Sequence, residues 1–147
     1  RLLAMIPDAA KGDDLPAAVE MAKFFITLHP GLYQGEDPAL FEFLSLPECM
    51  FCSSSVEVTQ ERLADGIVQV GGEFTIPEQV EGAVLDEVTD NTTTALVLLK
   101  VDEAPYEIRD NAGGVIRSHD GGPFNAAFAL RHVDGLWRVY GVEIVDP

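Results

Sequence analysis

The sequence predicts an α+β fold in which N-terminal helices pack on a strongly bent antiparallel sheet. Three observations carry that prediction. Up to Gly66 the apolar residues recur at helical spacing, and after it they alternate as in strands. Most of the later segments are joined by short turns, as antiparallel strands allow, and helices followed by a run of strands point to α+β architecture. Finally, Gly71, Gly72, Gly82 and Gly141 fall inside strand-like segments, where a strongly curved sheet needs kinks or bulges.

The elements follow in order. Residues 1–12 mix apolar and polar positions around Pro7 without a clear period, and are expected to be a leader or tether. Residues 13–147 are expected to form one domain. Asp13-Asp14-Leu15-Pro16 is a helix start, an acidic cap with proline near the first turn. Val19, Ala22, Phe25, Ile26 and Leu28 or His29 keep helical spacing, and Pro30-Gly31 is expected to stop the helix. A second helix is expected over Asp37–Leu46, ended by Pro47. Ser53-Ser54-Ser55 are expected to cap a third, with Val56, Leu63 and Val58 towards the core and Asp65-Gly66 ending it. About six strands follow. Ile67–Ile76 is broken at Gly71-Gly72, and Gln79–Val88 alternates up to a turn at Asp90-Asn91. Thr93–Val101 is apolar on both faces. Tyr106–Ile108 and Val115–Arg117 flank Asn111–Gly114. Phe124–Val133 and Leu136–Val145 flank Asp134-Gly135, a two-residue hairpin signal.

The chain has 147 residues, 47% of them hydrophobic, enough to bury a sizeable core. Its net charge of −16 argues against direct binding to nucleic acid or an anionic membrane surface. No run approaches the ~20 apolar residues of a membrane helix. The chain begins with Arg1, which suggests a fragment or processed form whose signal peptide would lie upstream.

Cys49 and Cys52 are the only cysteines. A C-x-x-C pair can be a redox motif, but that expects a strand–helix context that is missing here. It can be half a zinc site, but His29, His119 and His132 are scattered singly. The reading favoured is a structural disulfide across one turn, closing a small loop and implying an oxidising compartment. Two reduced, buried thiols in a cytosolic protein remain the alternative.

The element order, the amphipathic opening helix and the closing hairpin Phe128–Val139, with Asp134-Gly135 followed by Trp137, resemble the nuclear-transport-factor-2-like superfamily. The resemblance covers about Leu15 to Val145. It implies a cone of bent antiparallel strands closed by helices, often dimeric through the sheet. A narrower likeness rests on Leu44-Ser45, then Cys49-Met50-Phe51-Cys52, Gly66 and Gly71-Gly72. It is similar to an uncharacterised family of actinobacterial lipoproteins. That likeness implies a lipid-anchoring cysteine upstream of Arg1, an outward-facing domain, and no assigned activity.

Such a cone hosts both enzymes and binding modules, so function must come from the site. Asp86 shares strand parity with Val80, Val84 and Val88. In an apolar mouth its pKa would rise, which suits a general acid or base. His132 shares parity with Phe124, Phe128 and Leu130 and could pair with it, and Tyr140 could assist. The plainer alternatives are a solvated carboxylate near a strand end, a histidine satisfied by backbone, and a packing tyrosine. Phe25, Tyr33, Phe124 and Phe128 are the candidate lining of an apolar ligand pocket. Calcium-loop spacing and the dinucleotide glycine motif are both missing, so no metal or cofactor is expected. The leading expectation is a non-enzymatic, extracytoplasmic, lipid-anchored domain that binds a small apolar ligand or an envelope protein. The alternative is a small isomerase, cyclase or dehydratase using Asp86.

Overall fold

Helix α1 spans Leu15–Tyr33 because the sequence gives it a cap, a stripe and a stop. The Asp14 carboxylate accepts the Ala17 N–H at 3.0 Å, satisfying one of the orphan donors of the first turn. Ala18, Met21, Ala22, Phe25 and Ile26 form its fully buried face. The expected stop at Pro30-Gly31 is displaced, and the helix runs through Pro30, which is buried inside its last turn. A proline there removes only one backbone bond near an end that is already losing them. The true stop is Gly35, where Gly35 N–H bonds Leu32 C=O at 3.3 Å and Glu36 N–H bonds Gly31 C=O at 2.9 Å, a Schellman closure.

The structure is a computed structural model that describes residues 1–77, 80–88 and 92–145, without the side chains of 86–88 and 92. The expected strand residue Gln79 and the expected turn Asp90-Asn91 therefore lie outside the described residues. The first twelve residues, expected to be a leader or tether, form two 3-10 turns, with Ile6 and Ala10 buried in the same core as α1.

Helix α2, Ala39–Phe43, is shorter than the expected Asp37–Leu46. The tertiary fold supplies the reason. Val139 donates to Leu44 C=O at 2.8 Å and accepts from Leu46 N–H at 2.7 Å, so this segment leaves the helix to cover an edge strand. Helix α3, Met50–Ala64, starts earlier than expected and is capped by Cys49 rather than by the serines. Its inward stripe is Cys52, Ser55 and Thr59, while Val58 is exposed. Ser55 and Thr59 can be buried because each hydroxyl bonds a helix carbonyl, Phe51 at 2.7 Å and Val56 at 3.0 Å. Asp65-Gly66 ends the helix as expected. Cys49 and Cys52 form a disulfide across its first turn, with Cα atoms 5.2 Å apart.

Among the described residues eight strands follow: β1 Val68–Gly71, β2 Phe74–Thr75, β3 Gly82–Val88, β4 Thr92–Glu103, β5 Tyr106–Arg109, β6 Val115–His119, β7 Gly122–Val133 and β8 Leu136–Val145. They divide into two antiparallel sheets. The small one has the order β1-β5-β6. In the large one β4, β7 and β8 lie side by side, and β2 and β3 share the free edge of β4. The break at Gly71-Gly72 is the corner between them. Both residues are left-handed, at φ +86° and +85°, and a Cβ on Gly71 would strike the Pro105 carbonyl. Tyr140 is the extra residue of a bulge in β8, since Ala129 faces Gly141 whereas Leu130 faces Val139.

The inner face of the large sheet carries Ala95, Val97, Leu99 and Val101 of β4 and Ala126, Phe128 and Leu130 of β7, all buried against the helices. Trp137 seals the hairpin end, its indole N–H donating to Asp14 C=O at 3.0 Å. The centre of the outer face is apolar as well, with Val84 and Leu96 exposed. The fold class is the expected one, α+β with helices on a bent antiparallel sheet, and the sheet is not closed.

Candidate ligand-binding site

At the end away from the Trp137 hairpin the helices and the sheet part. They leave a cavity of about 250 Å³ lined by Ile26, His29, Phe51, Phe74, Glu103, Phe124 and Ile144. Each side chain has a local reason to be there. Ile26 and His29 are one turn apart on α1, and Phe51 opens α3. Phe74 follows the glycine corner, which swings it across from Glu103 of β4. Phe124 lies opposite Val101 at the open end of β7, and its ring meets that of Phe74 edge-on at 5.2 Å.

A second, more polar cavity of about 180 Å³ shares His29, Phe74 and Glu103 with the first. Its other walls include Tyr33, Arg62, Gln69, Tyr106 and Arg117. The small sheet contributes three of these. Gln69, Ile108 and Arg117 stand opposite one another across β1, β5 and β6, and Tyr106 stacks on His119 with centroids 4.9 Å apart. The Arg62 guanidinium lies 5.2 Å from the centre of the Tyr33 ring.

His29 joins the two cavities. Its ring is stacked on Phe51 at 5.1 Å and on Phe74 at 5.9 Å, and burial lowers its pKa from 6.5 to about 4. Its Nε2 lies 3.1 Å from Ser55 Oγ. The single Ser55 proton is directed at Phe51 C=O, so Nε2–H donates and Nδ1 holds the lone pair. The ring is thus a neutral imidazole in an aromatic cage. Burial raises the pKa of Glu103, and the neighbouring His119 opposes that shift. Burial also raises that of Tyr33, against the field of Arg62.

The sequence-predicted residues are placed as follows. Tyr33 lines the polar cavity and Phe124 the apolar one. Phe25 is wholly buried and stacked on Phe41 at 4.4 Å, and Phe128 is a buried core residue of the inner face. His132 stands by the hairpin, edge-on to Trp137 at 5.2 Å, with a buried Nε2 that has no partner among the described residues. Tyr140 lies under the Arg131 guanidinium, 4.2 Å away, and Arg131 pairs with Glu48 at 2.9 Å. The side chain of Asp86 lies outside the described residues. Its backbone is in register with Thr94, and Thr94 with Arg131, the neighbour of His132. Asp86 and His132 therefore occupy alternate-parity positions on strands separated by β4. The structure brings Tyr33 and Phe124 to the open end and does not gather Asp86, His132 and Tyr140.

Sequence reasoning missed His29, Phe51, Phe74 and Glu103 as site residues. His29 sits at a core-stripe position of α1, so its spacing signals burial and nothing more. Phe51 lies inside the C-x-x-C pair, and Phe74 just past the glycine corner.

These elements define an α+β domain in which helices pack on a bent, open antiparallel sheet. Among solved structures the chain is similar to the intermembrane space region of the chloroplast protein ARC6. That match has 13% identity and a TM-score of 0.58, covering 88% of this chain and 97% of that one. It is also similar to Aln2 from a Streptomyces species, at 12% identity and TM-score 0.43 over 86% of this chain and 88% of that one. A protein from Xanthomonas campestris described as a putative calcium/calmodulin dependent protein kinase II association domain matches at 12% identity and TM-score 0.43, over 92% and 89% of the two chains. No protein-family model and no curated protein matches the chain.

Proposed function

We propose that this chain is a non-enzymatic binding domain that takes a small apolar ligand into the aromatic mouth between α1, α3 and the open end of the large sheet. The observation that carries this reading is the cavity of about 250 Å³ walled by Ile26, Phe51, Phe74, Phe124 and Ile144, with the neutral His29 imidazole as a polar contact. Ligand sites have this character: mostly apolar walls with a few placed polar groups. The enzyme alternative asks for Asp86 and His132 in one pocket, and their register positions give it no support.

The test uses an uncharged apolar probe, octanol, followed by NMR. Shifts are expected at Ile26, Phe51, Phe74 and Phe124. Ile144 is half exposed and tolerates a larger side chain, so Ile144→Trp should fill the mouth and weaken binding roughly tenfold. Shifts confined to the outer face of the sheet would sink the reading.

We place the domain outside the cytoplasm, anchored through an upstream lipid. The support is the buried Cys49–Cys52 disulfide together with the likeness to actinobacterial lipoproteins. Among the described residues no helix is long and apolar enough to cross a membrane. Protein isolated from its native cells should resist alkylation at both cysteines until reduced, as read by intact mass. Free alkylation without reduction would remove the main support for that compartment.

A second observation favours self-association. The outer face of the large sheet holds an apolar groove of about 640 Å³ lined by Val84, Leu96, Leu98, Ala127, Ala129 and Val142, among others, with Glu143 as its one charged member. A second copy is the occupant proposed, because the charge of −16 is largely kept off this surface. Leu96→Glu should convert a dimer to a monomer in light scattering, and a monomeric parent would refute it.

A further inference from the structure

We propose that the ligand of the mouth is a monocarboxylate amphiphile, its anionic head held between Arg62 and Arg117 and its apolar body in the aromatic cavity. This inference rests on the ligand reading above and names the ligand's chemical class. The chain has 25 acidic side chains and only 9 lysines and arginines, so carboxylate partners for its cations are plentiful. Arg109, Arg131 and Arg138 each have one within 4.0 Å. Arg62 and Arg117 have none among the described residues, and both line the same cavity of about 180 Å³.

The two arginines arrive from independent elements. Arg62 comes from the last turn of α3 and is steadied over the Tyr33 ring at 5.2 Å. Arg117 comes from β6, in register with Ile108 and Gln69. Tyr33 and Tyr106 add phenolic groups to the same walls. A planar guanidinium presents paired N–H donors that match a carboxylate, and two of them with flanking hydroxyls form a donor-rich cradle. The polar cavity shares His29, Phe74 and Glu103 with the apolar one, so a head group in the first continues into a tail in the second. Glu103 is the one acid in the cradle's wall. Burial already favours its protonated form, and a bound carboxylate would favour it further.

The experiment is calorimetry with three probes of equal chain length: octanoate, octanol and octyltrimethylammonium. Octanoate should bind at least roughly tenfold tighter than octanol, since charge-assisted bonds are the strong ones. The cation should bind weakest. Arg117 is exposed, so Arg117→Gln should fold and erase the preference for octanoate over octanol. Arg117→Glu should reverse the order in favour of the cation, a readout that mere loss of packing would not give. Octanol binding as tightly as octanoate would overturn this inference and leave the apolar-mouth reading standing. Binding of none of the three would overturn both.

Discussion

Two histidines sit towards the inner side of the fold, and they meet opposite fates. His132 stands at the hairpin end, edge-on to Trp137, where the sheet and the start of α1 close on each other through the indole bond to Asp14. His29 stands at the open end, caged by Phe51 and Phe74 and bonded to Ser55. Strand parity singles out His132 because it lies beyond an apolar stripe. Helical spacing hides His29 because it lies within one. Parity and spacing report which face a residue occupies, whereas a cavity depends on which end of the fold is left unfilled. That difference separates the packed half of the molecule from the half that can receive a ligand.

The largest expected effect tests the closed end. Trp137 is fully buried and holds Asp14, so Trp137→Ala should destabilise the protein by about 4 kcal/mol in urea titration, through the cavity it leaves and the lost bond. A loss below about 1 kcal/mol would mean that the hairpin end is not the packed anchor described.

The open end should show itself through pH. His29 has a folded pKa of about 4 against 6.5, so the unfolded chain binds the extra proton. The stabilisation is complete above pH 6.5 and is lost as pH falls from 6.5 towards 4, to a limit of roughly 3 kcal/mol. His29→Phe keeps the aromatic cage and removes the titration. The difference in stability between parent and variant should therefore change by that amount over this window. Parallel curves would place His29 in water.

The disulfide should matter less. Cys49→Ala/Cys52→Ala removes a four-residue loop closure and the sulfur cap at the start of α3, for about 1 kcal/mol. A loss of about 4 kcal/mol or more in thermal unfolding would assign the pair a larger structural share. The smallest effect is expected at His132. Replacing it by leucine removes a buried nitrogen that has no partner among the described residues, so stability should shift by less than about 1 kcal/mol and octanol affinity should not move. A fall in that affinity would return His132 to the binding site.

Much of the fold was legible before the structure. The Asp14 cap, the Asp65-Gly66 stop, the glycine corner and the final hairpin are written in short-range chemistry, because a cap or a left-handed turn needs particular residues whatever surrounds it. Elements that answer to distant partners were misplaced. Helix α2 ends early because β8 takes the backbone of Leu44 and Leu46, and α1 passes Pro30 because that ring is buried. Helix α3 turns a polar stripe inward because Ser55 and Thr59 satisfy their hydroxyls locally and Ser55 meets His29.

The candidate site divides in the same way. Tyr33 and Phe124 could be named from aromatic positions on apolar faces, and they do line the open end. Phe25 and Phe128 carry the same signal and lie in the packed core. The apolar pattern fixes which residues leave water, since burial follows from period and composition. Only the tertiary structure decides which of them face a filled space and which an empty one. An empty space is a property of how elements from distant parts of the chain meet, and no local pattern encodes it.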